Sequence, residues 1–178
     1  MSEKESRWIK KALSGDNRAF NKLVKKYRDQ MYYLAYNLSG NEEDAKDIAQ
    51  EAFIKAYQNL WQFNQAAKFS TWLHKITSNQ AIDLIRKRSR LPQYAVEENL
   101  RTPSEIPIDL GPDDKMQNAL NQLSFQQRQV VVLKYYHDLS YEEIADIMHC
   151  TQSTVRNHML RAMKRLRILL SQERSGES

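Results

Sequence analysis

Basic side chains recur on one face of the segment that follows Thr151, near the end of the chain. The five members are Arg156, Arg161, Lys164, Arg165 and Arg167. Arginine can bind the O6 and N7 atoms of guanine, and both arginine and lysine bind backbone phosphates. The apolar residues between them recur at helical spacing, so the basic side chains would share the outer surface of one helix. The pattern favours a nucleic-acid-binding surface over the alternative, an ordinary solvated helix face.

Aromatic and basic residues are interleaved between positions 61 and 75. The aromatic members are Trp61, Phe63, Phe69 and Trp72, and Lys68 and His74 lie among them. Aromatic rings beside cations form a platform on which unstacked bases can lie. The alternative is that these rings belong to the core, and for Trp72 we favour the core. A basic cluster follows at 86–90, and this clustering indicates phosphate contacts more strongly than the modest net charge of +5 does.

The residues that usually bind metals or act as nucleophiles are few and scattered. His74, His137, His149 and His158 show no metal-ligand spacing with one another or with Cys150, and there is no glycine-rich phosphate loop. We therefore expect no catalytic residue, no metal, no cofactor and no enzymatic activity. A single cysteine permits no internal disulfide, which fits a reducing cytoplasm, and we assign Cys150 to packing. No run of 18 apolar residues exists, so we expect no direct membrane insertion.

The basic face near the end of the chain belongs to a predicted helix-turn-helix. Ser140 and Glu143 have the spacing of a capping box, so a helix should begin there. Its predicted inward residues are Ile144, Ala145 and Met148, and the pattern breaks at 149–151. The next helix should bury Val155, Met159, Ala162, Met163, Leu166 and either Leu169 or Leu170. In a helix-turn-helix the second helix fits the major groove of DNA.

The wider pattern predicts an all-α protein of two small helical domains. All four prolines lie at Pro92, Pro103, Pro107 and Pro112. The stretch around them is acidic and lacks periodicity, so residues 91–113 are predicted to be a flexible linker between domains at 1–90 and 114–178. The predicted helices lie near Trp8, after Asp16, after Asn41, after an N-cap at Ser70, and near 114–122, 126–136, 140–148 and 152–171.

Two runs of the first domain carry a resemblance to a known family. DAKDIAQEAFIKAYQNLWQF and KFSTWLHKITSNQAIDLIRKR resemble region 2 of bacterial sigma factors of the sigma-70 type, and the helix-turn-helix resembles their region 4. The resemblance covers about 16–90 and 114–170, in the right order. The two-domain layout is similar to the extracytoplasmic-function group, and region 2 is close to its sigma-W-like members.

The resemblance implies a bacterial, cytoplasmic transcription initiation factor. Such a protein binds core RNA polymerase, directs it to the −35 and −10 elements of promoter DNA and assists melting. It also implies an envelope- or stress-response regulon and restraint by an anti-sigma partner, often membrane-anchored. We expect a monomer.

The resemblance also implies roles for individual residues. Those for core polymerase are Asp44, Asp47, Gln50, Glu51, Lys55 and Gln58. Those for the −10 element are Asn64, Lys68, Phe69, Ser78, Asn79, Asp83, Arg86, Lys87 and Arg88. Those for the −35 element are Gln152, Ser153, Arg156, Asn157, Leu160, Arg161, Lys164 and Arg165.

The chain departs from the family pattern at four positions. His149 stands where the turn usually has glycine, and it must tolerate a left-handed backbone there. Ser124 replaces a common proline, while His158 and Met163 replace frequent arginines. The alternative function is a conventional helix-turn-helix repressor or activator whose first domain binds a ligand or dimerises. Such a regulator needs neither a polar docking helix nor a base-capturing loop.

Overall fold

A computed structural model describes residues 2–64, 67–90 and 114–175 of the chain. Within these ranges the protein has eight α-helices and no strand, which confirms the all-α prediction for the part described. The linker predicted at 91–113 lies outside the described residues.

The first domain contains four α-helices. They are α1 (Glu3–Leu13), α2 (Asn17–Ser39), α3 (Glu42–Gln58) and α4 (Phe69–Arg90), with a short 3-10 helix at Leu60–Gln62 between the last two. Helix α2 packs against each of the other three, so it forms the centre of the domain.

Side-chain caps fix where these helices begin. The Asp16 carboxylate accepts hydrogen bonds from the backbone N–H groups of Arg18 and Ala19, at 2.9 and 3.2 Å. Asn41 caps α3 in the same way, as its sequence position predicts. The N-cap predicted at Ser70 is wrong, because α4 already begins at Phe69. The Trp72 N–H donates to the carbonyl of Lys68, 3.2 Å away, which places Ser70 inside the first turn.

The core of the first domain is built on the apolar residues that recur at helical spacing along α2. Leu23, Met31 and Leu34 of α2 are fully buried. Tyr57, near the end of α3, is by contrast 44% exposed. Its hydroxyl instead donates to Asn17 Oδ1 at 2.5 Å, and its ring meets the Phe20 ring edge-on at 5.0 Å. Tyr57 therefore joins the end of α3 to the start of α2 at the surface.

A polar cluster centred on the buried Glu5 holds α1 on α2. Glu5 accepts hydrogen bonds from the Tyr27 hydroxyl at 2.5 Å and from Lys26 Nζ at 2.8 Å. Burial, and then the Glu5 carboxylate, raise the pKa of Tyr27 to about 12, so this phenol remains a protonated donor. Ile9 and Ala12 bury the rest of this face of α1, which leaves its opposite face to solvent.

The second domain contains α5 (Asp114–Asn121), α6 (Phe125–Val131), α7 (Tyr141–Met148) and α8 (Gln152–Ser175). Helix α6 continues into a π-helical segment at Val132–Tyr136. This arrangement agrees with the helix predicted near 126–136. The wider π turn, which a propensity argument does not predict, is a rare feature that alters which side chains face the core.

Two inward positions in the helix-turn-helix differ from the prediction. Ile147 is buried, whereas Met148 is only partly buried. Met163, predicted inward, is 43% exposed. The buried stripe of α8 runs through Met159, Ala162 and Leu166, and Met163 lies about 100° around the helix from Ala162, so it faces away.

The two domains lie against each other through specific polar contacts. The Arg128 guanidinium donates to the carbonyl of Leu38 at 2.7 Å and to the carbonyl of Asn121 at 2.9 Å. It thus joins the end of α2 to the end of α5. The Thr71 hydroxyl donates to the Glu143 carboxylate at 3.0 Å, which joins α4 to α7.

A histidine pair occupies the same boundary. The rings of His74 and His137 meet edge-on with centroids 4.8 Å apart. Burial and, to a lesser extent, His137 lower the pKa of His74 from 6.5 to about 3, against an opposing effect of Glu143. Burial lowers the pKa of His137 to about 4. No described residue forms a hydrogen bond with a ring nitrogen of either histidine. Both rings are therefore neutral near pH 7.

Candidate nucleic-acid interface

The helix-turn-helix is fixed by caps on both sides of its turn. Ser140 and Glu143 form the predicted capping box at the start of α7. His149 ends α7 in the left-handed conformation, with φ of 52°, as its position in the turn predicts. The Thr151 hydroxyl accepts a hydrogen bond from the Thr154 N–H at 3.2 Å and so caps the start of α8. These contacts set the angle at which α8 leaves the domain.

All eight residues predicted for the −35 element lie on the solvent side of α8. They are Gln152, Ser153, Arg156, Asn157, Leu160, Arg161, Lys164 and Arg165. Leu160 is 57% exposed even though it is apolar, which suits contact with a thymine methyl group. The guanidinium of Arg156 lies 5.7 Å from the centre of the Tyr141 ring, a cation–π distance that restricts where this side chain points.

The residues predicted for the −10 element divide into exposed and buried ones. Asn64, Lys68, Asp83 and Lys87 are exposed, and Asn79 is partly exposed. The side chains of Arg86 and Arg88 lie outside the described residues, as do the loop residues Gln65 and Ala66.

Two residues of the −10 set do not face solvent. Phe69 is 1% exposed, because its ring packs against Tyr27, Phe63 and Trp72 at centroid distances of 5.4 to 5.6 Å. Ser78 is fully buried in the middle of α4. The prediction that these side chains face a base is wrong for this arrangement of the chain.

Of the four aromatic residues between positions 61 and 75, Trp61 is the one whose ring is available to stack on a base. It is 74% exposed, whereas Phe63 and Phe69 are buried and Trp72 packs partly against the core, as predicted for Trp72. Four aromatic residues close together in the sequence did not reveal which one faces outward. In the structure, the rings of Phe63, Phe69 and Trp72 contact one another, and Trp61 lies outside this cluster.

The residues predicted to contact polymerase form an outer face of α3, with one correction. Asp47, Gln50, Glu51 and Gln58 are exposed, and Lys55 is partly so. Asp44 was predicted to face outward, but it is 5% exposed. It is the third residue of the helix, in the first turn, where a carboxylate is stabilised by the free N–H groups of the helix start.

Apolar side chains lie within the polar face of α3 and were not predicted as part of it. Ile54 is 43% exposed and follows Gln50 by four residues and Glu51 by three, so it shares their face. Tyr57 lies one turn later. An apolar centre with a polar rim is typical of protein interfaces, so this face suits a protein partner better than its charges alone indicate.

The described residues contain no group of three His, Cys, Asp or Glu that could hold a metal ion. Within the same ranges, no helix is long and apolar enough to cross a membrane.

Comparison with known families decides what this arrangement belongs to. Residues 23–91 match the family described as sigma-70 region 2, and residues 113–166 match sigma-70 region 4. The chain is 39% identical over 175 residues to the ECF RNA polymerase sigma factor SigW of Bacillus subtilis, covering 89% of this chain and 92% of the relative. The chain belongs to the sigma-70 family, in its extracytoplasmic-function group.

Other sigma factors of this group are similar over comparable lengths. The ECF RNA polymerase sigma-E factor of Escherichia coli K12 is 35% identical over 170 residues, covering 86% of this chain and 87% of that protein. Among solved structures, the sigma factor RpoE of Bartonella quintana, in complex with the anti-sigma factor NepR, has a TM-score of 0.74 at 28% identity. That alignment covers 85% of this chain and 96% of the relative's chain.

In this sigma factor, region 2 comprises α2 from Leu23 onward, α3 and α4, and region 4 comprises α5 to most of α8. Helix α1 and the first turns of α2 precede the region 2 match. The protein is thus a transcription initiation factor that acts with core RNA polymerase at promoters.

Proposed function

We propose that this sigma factor reads the −35 element with the exposed face of α8. The single observation that carries this proposal is the exposure of all eight predicted residues on one helix whose opposite side is buried. Arg156, Asn157 and Leu160 offer the three kinds of base contact that the major groove accepts. Lys164 and Arg165, one turn further on, hold phosphates and fix the register of the helix.

The loop after α3 and the outer face of α4 form the proposed −10 surface. Its members are Trp61, Asn64, Lys68, Asn79, Asp83 and Lys87, together with Arg86 and Arg88. Trp61 stacks on a captured base, and Asn79 offers both a donor and an acceptor to a base edge. Phe69 supports this surface from within.

The outer face of α3 binds core polymerase in this proposal. Asp47, Gln50, Glu51 and Gln58 form a polar rim around Ile54. Charges at a rim steer association and set specificity, while the apolar centre supplies contact area, which suits a partner that must dock reversibly.

The division of labour follows the two domains. Residues 1–90 bind polymerase and the −10 element, 91–113 connect, and 114–178 bind the −35 element. The protein works as a monomer in the bacterial cytoplasm, where RNA polymerase is found, and contributes binding and melting without covalent chemistry of its own.

An anti-sigma protein restrains this sigma factor in an envelope- or stress-response regulon. The similarity to a sigma factor solved with its anti-sigma factor supports this part of the proposal. The partner covers polymerase-binding surfaces and can be membrane-anchored. If it binds α3, the double variant Glu51→Ala/Ile54→Ala weakens its capture, whereas Lys10→Gln/Lys25→Gln, at exposed sites of α1 and α2, leaves capture intact.

Run-off transcription with core RNA polymerase and genomic promoter fragments tests the proposal. Specific transcripts are expected only when the sigma factor is present, and their start sites locate the −35 and −10 elements. The variant Arg156→Ala/Arg161→Ala should lose transcription from promoters that need the −35 element, while Lys10→Gln/Lys25→Gln should retain it. Equal transcription by both variants would remove the −35 role from α8.

A further inference from the structure

The ring of Tyr141 lies beside two cations of the second domain. The guanidinium carbon of Arg156, on α8, is 5.7 Å from the centre of this ring, and Lys134 Nζ is also 5.7 Å from it. Tyr141 is the first residue of α7, and its side chain is partly buried against the core. The ring therefore connects the π-helical segment, which contains Lys134, with the exposed face of α8.

Two hydrogen bonds fix the loop that leads to Tyr141. The Leu139 N–H donates to the carbonyl of Leu133 at 3.1 Å, and Lys134 Nζ donates to the carbonyl of Leu139, also at 3.1 Å. Leu139 itself is buried. Because Lys134 belongs to the π-helical segment, the wider turn of that segment determines where its ammonium group lies. The position of the Tyr141 ring is thus set by the packed part of the domain rather than by α8.

Arg156 differs in this respect from the other basic residues on the outer face of α8. Arg161, Lys164 and Arg165 are exposed like Arg156. In the part of the chain that the structure describes, the cation–π contacts involve Lys26, Lys134 and Arg156. Arg156 is therefore the basic side chain of this face whose orientation a neighbouring ring restricts.

A guanidinium group can contact an aromatic ring and a base at the same time. Its flat face stacks on the ring, while its N–H donors point outward in its own plane toward the O6 and N7 atoms of guanine. A free arginine side chain on a helix surface loses rotamer freedom when it binds a base, and this loss opposes binding. The Tyr141 ring removes part of that freedom before DNA is bound, so Arg156 is preorganised.

We propose that Tyr141 is a positioning residue for base recognition, whose ring holds Arg156 in the orientation that reads one base pair of the −35 element. Tyr141 acts through Arg156, so its contribution is to the preference at that base pair. The π-helical segment contributes in turn, because Lys134 holds the loop from which the ring projects. This inference rests on the proposed −35 function of α8.

A double-mutant cycle in the holoenzyme tests this role. Tyr141→Leu removes the ring and keeps an apolar side chain at the start of α7. It should weaken binding to the cognate promoter about two- to fivefold, the factor that an exposed cation–π contact provides, and relax the preference at the base pair read by Arg156. In the Arg156→Ala background the same substitution should change neither quantity, because a positioning residue acts only through the group it positions.

Three further variants separate the ring from its packing. Tyr141→Phe keeps the ring and removes the hydroxyl, so it should restore both the affinity and the base preference. Lys134→Met releases the carbonyl of Leu139 and should give a smaller loss of the same kind, again absent in the Arg156→Ala background. Tyr135→Leu removes a ring that is 64% exposed in the π-helical segment, and it should leave the base preference unchanged.

An equal loss from Tyr141→Leu with and without Arg156 would overturn the proposal and assign Tyr141 to packing alone. A uniform loss across all single-base promoter variants, with the preference unchanged, would overturn it as well. Failure of the underlying function gives a different pattern. Arg156→Ala would then leave the preference at every base pair unchanged, and base reading by Arg156 would be rejected together with the role of Tyr141.

Discussion

Arg156 is the residue whose role in base reading can be tested most sharply. Its side chain is exposed on the first turns of α8 and lies over the ring of Tyr141. A bidentate arginine–guanine contact contributes about 1–3 kcal/mol of discrimination between bases. Arg156→Ala should therefore weaken holoenzyme binding to the cognate promoter by that amount and relax the preference at one base pair, as measured by competition among single-base promoter variants.

Arg165→Ala provides the comparison for Arg156→Ala. Arg165 is exposed on the same helix but more than two turns further along, where we propose a phosphate contact. Its loss should weaken binding to all promoter variants about equally. It should also reduce the slope of log affinity against log salt concentration by the contribution of one phosphate contact. If both substitutions changed the preference at the same base pair, the division between base-reading and phosphate-binding residues would be incorrect.

At the residue scale, the sequence predicts exposure well where one helix has one buried side. All eight predicted positions on α8 are exposed because a single apolar stripe occupies the opposite side of that helix. The prediction of exposure is wrong for Phe69 and Ser78 because their helix, α4, is covered from more than one direction, by α2, α3 and α7. It is wrong for Asp44 because a first-turn carboxylate can turn back toward its own helix start. Helical periodicity carries no information about either effect.

The turn of the helix-turn-helix offers a test at the scale of an element. His149 holds φ of 52° at the end of α7, a conformation that costs a residue with a Cβ about 1–2 kcal/mol. Glycine relieves this strain but adds about 0.4–1 kcal/mol of entropy to the unfolded chain. His149→Gly should thus increase the free energy of unfolding by up to about 1.6 kcal/mol, measured by urea denaturation.

His149→Ala is the matched control, because it removes the imidazole and keeps the Cβ. It should leave stability unchanged or lower it slightly. A similar gain in both variants would mean that the imidazole, rather than the backbone conformation, is the unfavourable feature of this turn.

Elements were predictable where a cap and an apolar stripe agree. The starts of α2, α3 and α7 follow Asp16, Asn41 and Ser140, each of which accepts the expected backbone hydrogen bond. The start of α4 was misplaced because Ser70 has the chemistry of a cap, whereas the helix includes the buried Phe69 and so begins two residues earlier than a cap at Ser70 implies. Tertiary packing overrides local preference in such cases.

At the scale of the whole molecule, the sequence left the relative position of the domains open. The contacts that join them link residues 72 and 90 positions apart, through single side chains that belong to no periodic stripe. Gly40 shows how close the approach is, because a Cβ there would lie 2.5 Å from the side chain of Asn121. Its φ of 73° also favours glycine, so local sequence explains this residue without reference to the second domain.

Arg128 should be the main determinant of the closed arrangement, in which the two domains lie against each other. Its two hydrogen bonds reach carbonyls in both domains, and hydrogen bonds to a charged group contribute about 1.5–3 kcal/mol each. Arg128→Ala should shift the free protein toward an open form, seen as a larger radius of gyration and a longer distance between fluorophores on the two domains.

Arg128→Lys refines this result. Lysine keeps the charge but cannot span both carbonyls with one planar group, so it should restore only part of the compaction. An unchanged distance in both variants would show that Arg128 does not hold the domains together.

The histidine pair makes the closed arrangement sensitive to acid. Facing His74 on α4 are His137, after the π-helical segment, and Glu143 on α7, which opposes the decrease in pKa without reversing it. In the closed form the pKa values are about 3 and about 4, whereas solvent exposure in an open form would return both toward 6.5. Between these limits the open form binds more protons, so closure is complete above about pH 6.5 and weakens as the pH falls toward 4. Each unit of pH in that window lowers the stability of the closed form by at most about 1.4 kcal/mol per histidine.

The distance between fluorophores on the two domains should therefore increase as the pH falls from 7.5 to 5.5, and the double variant His74→Leu/His137→Leu should show a flat profile. Because the exposed His149 and the partly exposed His158 remain in that variant, a persisting pH response would assign the effect to groups outside the pair.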